Sequence, residues 1–135
     1  MCFFNGALRL LVGSFMLISI ALAQSTKPID AIALNPIQVA PHTYFVQGLP
    51  EMGSSANQNF ISNSGFVVTP AGVVVVDALG SPILAQKLIA EIKRVTKQKI
   101  VAVIVSHYHA DHVYGLQEFK KIGATIYAQG EGRNY

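Results

Sequence analysis

The sequence predicts an α/β fold, a mixed sheet with helices on one face, and three observations predict it. Residues 73–76 and 100–105 are continuous β-branched runs, the pattern of strands buried on both faces. Between them a helical period runs on from Ser81-Pro82, a capping hydroxyl followed by proline at the first helical position. A second helical pattern, Val113, Leu116, Phe119 and Ile122, follows the second run and ends at Gly123. Strands, helix, strand, helix, strand is the order of an α/β layer.

A chain of 135 residues with 51% hydrophobic content allows one modest domain with an ample core. The net charge is +3, and Lys87, Lys93, Arg94, Lys97 and Lys99 lie mainly along one predicted helix and its exit. That is a solvated helical face, so no nucleic-acid partner is expected. The expected partner is a small-molecule substrate, and the composition leaves the oligomeric state open.

Residues 1–23 have the pattern of an export signal. Arg9 supplies the positive region, residues 10–20 the apolar core, and Ala21-Leu22-Ala23 the small-x-small cleavage pattern, leaving Gln24 as the mature start. The unbroken apolar stretch 10–23 is shorter than the ~20 residues of a spanning helix. A cleaved signal is therefore favoured over an anchor, and no stable membrane insertion is expected afterwards. The single cysteine, Cys2, lies inside the signal, so the processed chain would carry no thiol. Removing Arg9 from ten basic residues leaves nine against seven acidic, a net of +2. The expected location is periplasmic or secreted.

Residues 24–41, with Pro28, Pro36 and Pro41, are expected as a linker or loosely docked arm, ahead of a domain over 42–135. Residues 42–47 are the first expected strand, with His42 a surface or strand-end histidine. Gly53, Ser54, Ser55 and Asn57 give 49–59 the chemistry of a loop. Residues 60–68 and 73–76 are expected strands joined by the turn 69–72. Asp77 closes the second of these, as a supporting carboxylate or as a plain turn residue before Gly80. In the first helix Leu84, Leu88, Ile92 and Val95 mark the buried face, and Glu91 is spaced to pair with Lys87 and Arg94. Residues 124–128 form a further strand, and 130–135 open another element.

Chemistry concentrates in Ser106-His107-Tyr108-His109-Ala110-Asp111-His112, which holds three of the four histidines within six positions. The stretch follows a strand, and open α/β sheets place their sites at the carboxyl ends of strands. In extended backbone His107 and His109 project to the same side and can share one metal ion. Asp111 and His112 come where the chain turns into the helix, and can be aimed at a second position. Imidazole with carboxylate suits zinc best, ahead of manganese or iron, so one or two zinc ions are expected.

His107-x-His109-x-Asp111-His112 followed by Gly115 resembles the signature of the metallo-β-lactamase superfamily. The resemblance extends to residues 63–69 and 72–77 and covers roughly 42–128. It implies half of an αββα sandwich, the amino-terminal part, with zinc at one edge. It also implies hydrolysis, a metal-bound hydroxide attacking an ester, thioester or β-lactam-type amide bond. His107 and His109 would hold the first ion, and Asp111 and His112 the second. Asp111 could also orient or deprotonate the water, and Asp77 could stand behind the metal loop. The 49–59 loop would correspond to a mobile flap over the site or to an ordinary hairpin loop.

Catalytic zinc keeps about three protein ligands and an open position for water, so each pair is short. In the superfamily the remaining ligands come from later segments, and the expected reading is a fragment, inactive by itself. His112 directly after Asp111 resembles hydroxyacylglutathione hydrolases and one β-lactamase subclass. Tyr114-Gly115 resembles exported hydrolases linked to quinoprotein or sulfur oxidation. The alternatives are a non-hydrolytic metal-binding half-module, or an iron-dependent oxidoreductase or dioxygenase of the same fold.

Overall fold

The computed structural model describes residues 32–131. Within them the chain builds one six-stranded sheet whose strands lie side by side in chain order. These are β1 (Ile37–Ala40), β2 (Thr43–Val46), β3 (Ser64–Thr69), β4 (Gly72–Val76), β5 (Ile100–Ile104) and β6 (Thr125–Tyr127). β1 to β4 pair antiparallel, while β4, β5 and β6 run parallel. The expected mixed sheet is observed.

Each direction change has a local cause. Pro70-Ala71 closes the β3–β4 hairpin because Gly72 adopts φ +133°, which a side chain would resist. Parallel pairing of β4 with β5 needs a crossover, and α1 (Pro82–Val95) supplies it. The Ser81 hydroxyl accepts from the Leu84 amide at 3.3 Å, so the predicted cap forms. The Gly123 amide donates to the Lys120 carbonyl, and its φ of +85° ends the last helix before β6.

One face of the sheet packs on the helices. Phe66, Val73, Val75 and Val103 meet Leu84, Leu88, Ile92 and Phe119 in a single buried cluster. Tyr44 stacks on Phe66 with ring centroids 4.7 Å apart. Each such side chain contributes roughly 1.5–3 kcal/mol on burial. Among the described residues the opposite face has no such cover. There the pairing aligns Ile37, Phe45, Gly65, Val76, Ile104 and Tyr127 in one row across all six strands. Ile37, Val76, Ile104 and Tyr127 in that row are 39–57% exposed.

Four expectations need correction. The described part of 24–41 is no linker: Leu34 is buried, and residues 37–40 form the edge strand of the sheet. Lys87 anchors this arm by donating to the Ile32 carbonyl at 2.8 Å. Residues 60–63 are turn rather than strand, because Phe60 drops into the core and its carbonyl closes the loop to the Leu49 amide. Val95 is exposed, and Ala85 and Ile89 complete the buried face of α1. The last predicted helix is two pieces, α2 (Ala110–Val113) and α3 (Leu116–Lys121), and Ile122 is exposed. Residues 1–31 and 132–135, with the export segment, lie outside the described residues. Among those described, no helix is long and apolar enough to cross a membrane.

Candidate metal centre

The break between α2 and α3 positions the motif. The β4–α1 connection inserts its backbone there: the Ala78 amide donates to the His112 carbonyl at 2.8 Å, and the Gly115 amide to the Leu79 carbonyl at 3.1 Å. A Cβ on residue 115 would lie 2.0 Å from the Ala78 carbonyl oxygen, so only glycine allows this approach. The connection is itself strained, with Asp77 at φ +61° and the buried Leu79 at φ +65°. Serines complete the clamp. The Ser62 hydroxyl donates to the Asp111 carbonyl, and Ser64 to the Val76 and Asp77 carbonyls.

Asp77 lies beneath the histidine turn, 5% exposed. Its Oδ1 accepts the Ser106 amide at 2.8 Å, and its Oδ2 the Ser106 hydroxyl at 2.7 Å. Oδ2 also meets His112 Nδ1 at 2.8 Å. The left-handed backbone of Asp77 turns its carboxylate under the β5 exit, where the carboxylate gathers all three contacts.

Above it the motif side chains form one cluster. The His107 ring is 4.0 Å from that of His112 and 4.7 Å from that of His109, centroid to centroid. His112 Nε2 stands 3.4 Å from Asp111 Oδ2. His109 occupies the N-cap position of α2 in extended backbone, and Asp111 lies in its first turn. The structure thus brings His107, His109, Asp111 and His112 to one edge, over Asp77. His42 sits apart, in the exposed β1–β2 turn. Among the described residues no three His, Cys, Asp or Glu side chains already form a metal-holding set.

The donor set fits a cation. A carboxylate only accepts, so a neutral His112 donates its Nδ1–H to Asp77, leaving a lone pair on Nε2. That lone pair faces the Asp111 carboxylate, another acceptor. Two acceptors 3.4 Å apart, turned toward one position, are an arrangement that a cation would suit.

Two concavities lie on the sheet and its helices. One, of about 590 Å³, lies between Gly53–Asn59, the start of α1 and Tyr114. The larger, about 650 Å³, is lined by Lys93, Lys97 and Lys99 at the far end of the sheet and contains none of the motif residues. Sequence reasoning gave no role to Ser62, Ser64 or Ser106, because a serine carries no signal until its partner across the fold is known.

A histidine-carboxylate turn at the carboxyl edge of a mixed sheet, backed by a buried aspartate, defines a class of α/β proteins built around a candidate metal edge. Residues 58–128 match the family model described as metallo-beta-lactamase superfamily, and the chain belongs to that superfamily. It is 28% identical over 123 residues to metallo-beta-lactamase IND-1 of Chryseobacterium indologenes, covering 90% of this chain and 49% of that protein. It is 30% identical over 69 residues to the linear primary-alkylsulfatase of Pseudomonas sp. (strain ATCC 19151), 47% of this chain and 13% of that one. MEM-A1, a subclass B3 metallo-beta-lactamase from a soil metagenome library, superposes with a TM-score of 0.58 at 25% identity. That superposition covers 76% of this chain and 35% of MEM-A1. The chain spans about half the length of these relatives, or less.

Proposed function

We propose that this chain carries the metal-binding turn of an exported metallo-hydrolase, acting on a small molecule through an ester, thioester or amide bond. One observation carries the reading: His112, held by buried Asp77 at Nδ1, turns Nε2 toward the Asp111 carboxylate at 3.4 Å. His107 and His109 would hold one zinc ion, and Asp111 with His112 a neighbouring position. Bound zinc would polarise a substrate oxygen and bring the pKa of coordinated water to ~7. The chain's own residues would then handle protons. Asp111, in the first turn of α2, would accept one from an attacking water. Asp77 keeps His112 oriented throughout. Names of relatives supply the bond classes to test, a sulfate ester and a β-lactam, beside a thioester.

The test uses the full-length protein with His109→Ala and Asp111→Ala. Both substitutions should lower zinc content and hydrolysis together. Full metal stoichiometry and full turnover in both variants would dismiss the assignment. Metal analysis of the purified protein separates zinc from iron, and with it hydrolysis from the oxidoreductase alternative. Amino-terminal sequencing should find Gln24 first in periplasmic or secreted protein; residues 1–23 retained in membrane-bound protein would favour an anchor.

A further inference from the structure

Three contacts meet at Ser106, and together they fix where its proton goes. Its Oγ is 2.7 Å from Asp77 Oδ2 and 3.0 Å from His107 Nδ1. A hydroxyl has one hydrogen and a carboxylate brings none, so the 2.7 Å contact takes the serine hydrogen. Oγ is then left with lone pairs toward His107. The 3.0 Å contact forms only if Nδ1 of His107 carries the hydrogen, which leaves the lone pair on Nε2. His112 reaches the same Oδ2 directly, at 2.8 Å, with the same outcome.

We propose that Ser106 is a positioning residue: its hydroxyl relays the Asp77 carboxylate to His107, so that one aspartate fixes the tautomer of two motif histidines. The partner of one imidazole nitrogen decides which nitrogen can ligate. Free neutral imidazole favours its proton on Nε2, the opposite state, so the relay works against the default. It leaves Nε2 as the ligating atom of both rings, 4.0 Å apart at their centroids. The tautomer assignment stands on hydrogen bonds alone, and only its consequence for metal rests on the function proposed above.

The experiment is long-range ¹H–¹⁵N correlation spectroscopy on the ¹⁵N-labelled full chain, with neutral imidazoles, in the parent, Ser106→Ala and Ser106→Thr. In the parent, His107 and His112 should both carry Nδ1–H. Ser106→Ala should move His107 to the Nε2–H form and leave His112 unchanged, and Ser106→Thr should restore His107. Zinc affinity should fall about 10–100-fold in Ser106→Ala and stay near parental in Ser106→Thr. An Nε2–H His107 in the parent overturns the relay, as does an unchanged His107 in Ser106→Ala. If Ser106→Ala does not fold, the parent and Ser106→Thr spectra decide. The predicted tautomers in a protein that takes up no zinc would keep the relay and sink the metal function.

Discussion

Asp77 and His112, 35 residues apart in sequence, meet at 2.8 Å between Oδ2 and Nδ1. The carboxylate is buried and the imidazole only partly so. That contact fixes one ring of the candidate site from beneath, without occupying the face that a ligand would use.

Asp77→Ala should therefore weaken zinc binding by ~10–100-fold. It should also destabilise the fold by about 1–3 kcal/mol, because the Ser106 amide loses its acceptor. Zinc titration beside thermal unfolding separates the two effects. Stability lost with metal affinity and turnover per folded molecule intact would leave Asp77 as a turn residue only.

Gly115→Ala should be more damaging than its single methyl suggests. The new Cβ would fall 2.0 Å from the Ala78 carbonyl oxygen and 2.6 Å from the Ala85 Cβ. The first of these is backbone and cannot swing aside. Overpacking costs of about 1–3 kcal/mol are typical, and this contact belongs at the upper end. A melting temperature equal to the parent's would show that α2 and α3 can shift freely against the β4–α1 connection.

Glu118 links stability to acid. It accepts from Lys121 and from Gln86 on α1, and these bonds, Lys121's first, hold its carboxyl below the ordinary 4.5. A carboxyl depressed on folding stabilises fully above its unfolded-state pKa, and the contribution fades as pH falls through the folded value. Glu118→Gln should flatten the acid limb of a stability–pH profile and leave neutral-pH zinc binding unchanged. Superimposable acid limbs in the two proteins would remove Glu118 as a source of that dependence.

The face left uncovered among the described residues should govern solution behaviour. Residues 24–135 alone are expected to self-associate through the row containing Val76, Ile104 and Tyr127. They should take up zinc weakly and show no measurable hydrolysis. Val76→Thr with Ile104→Thr should raise the monomer fraction in analytical ultracentrifugation. A soluble parent monomer holding stoichiometric zinc and turning over substrate would defeat this expectation.

What was legible in the sequence followed from period and from local chemistry. β4 and β5 announce themselves by runs rich in β-branched residues, and α1 by the Ser81 cap and its apolar stripe. The histidine turn was legible because its spacing is local. β1 was not, since all four of its residues are exposed and its pairing with β2 supplies the order. The split of the last helix escaped as well, because the breaking contacts come from Ala78 and Leu79. Ser106 and Asp77 are 29 residues apart, and no sequence window joins a hydroxyl to a carboxylate at that distance.

The strict chain order of the sheet has a kinetic meaning. Every strand pairs with its immediate predecessor, but only β1–β2 and β3–β4 are joined by two-residue turns, while the other three pairings close longer connections. Contacts close in sequence form faster than those that close long loops. The β3–β4 hairpin can zip first through its two-residue turn, with β2 and β1 adding on one side. β5 pairs on the other side across the α1 crossover, the longest connection between neighbouring strands. Asp77 and Ser106 meet only when β5 pairs with β4, so the histidine turn is expected to become organised late, on a scaffold already half built.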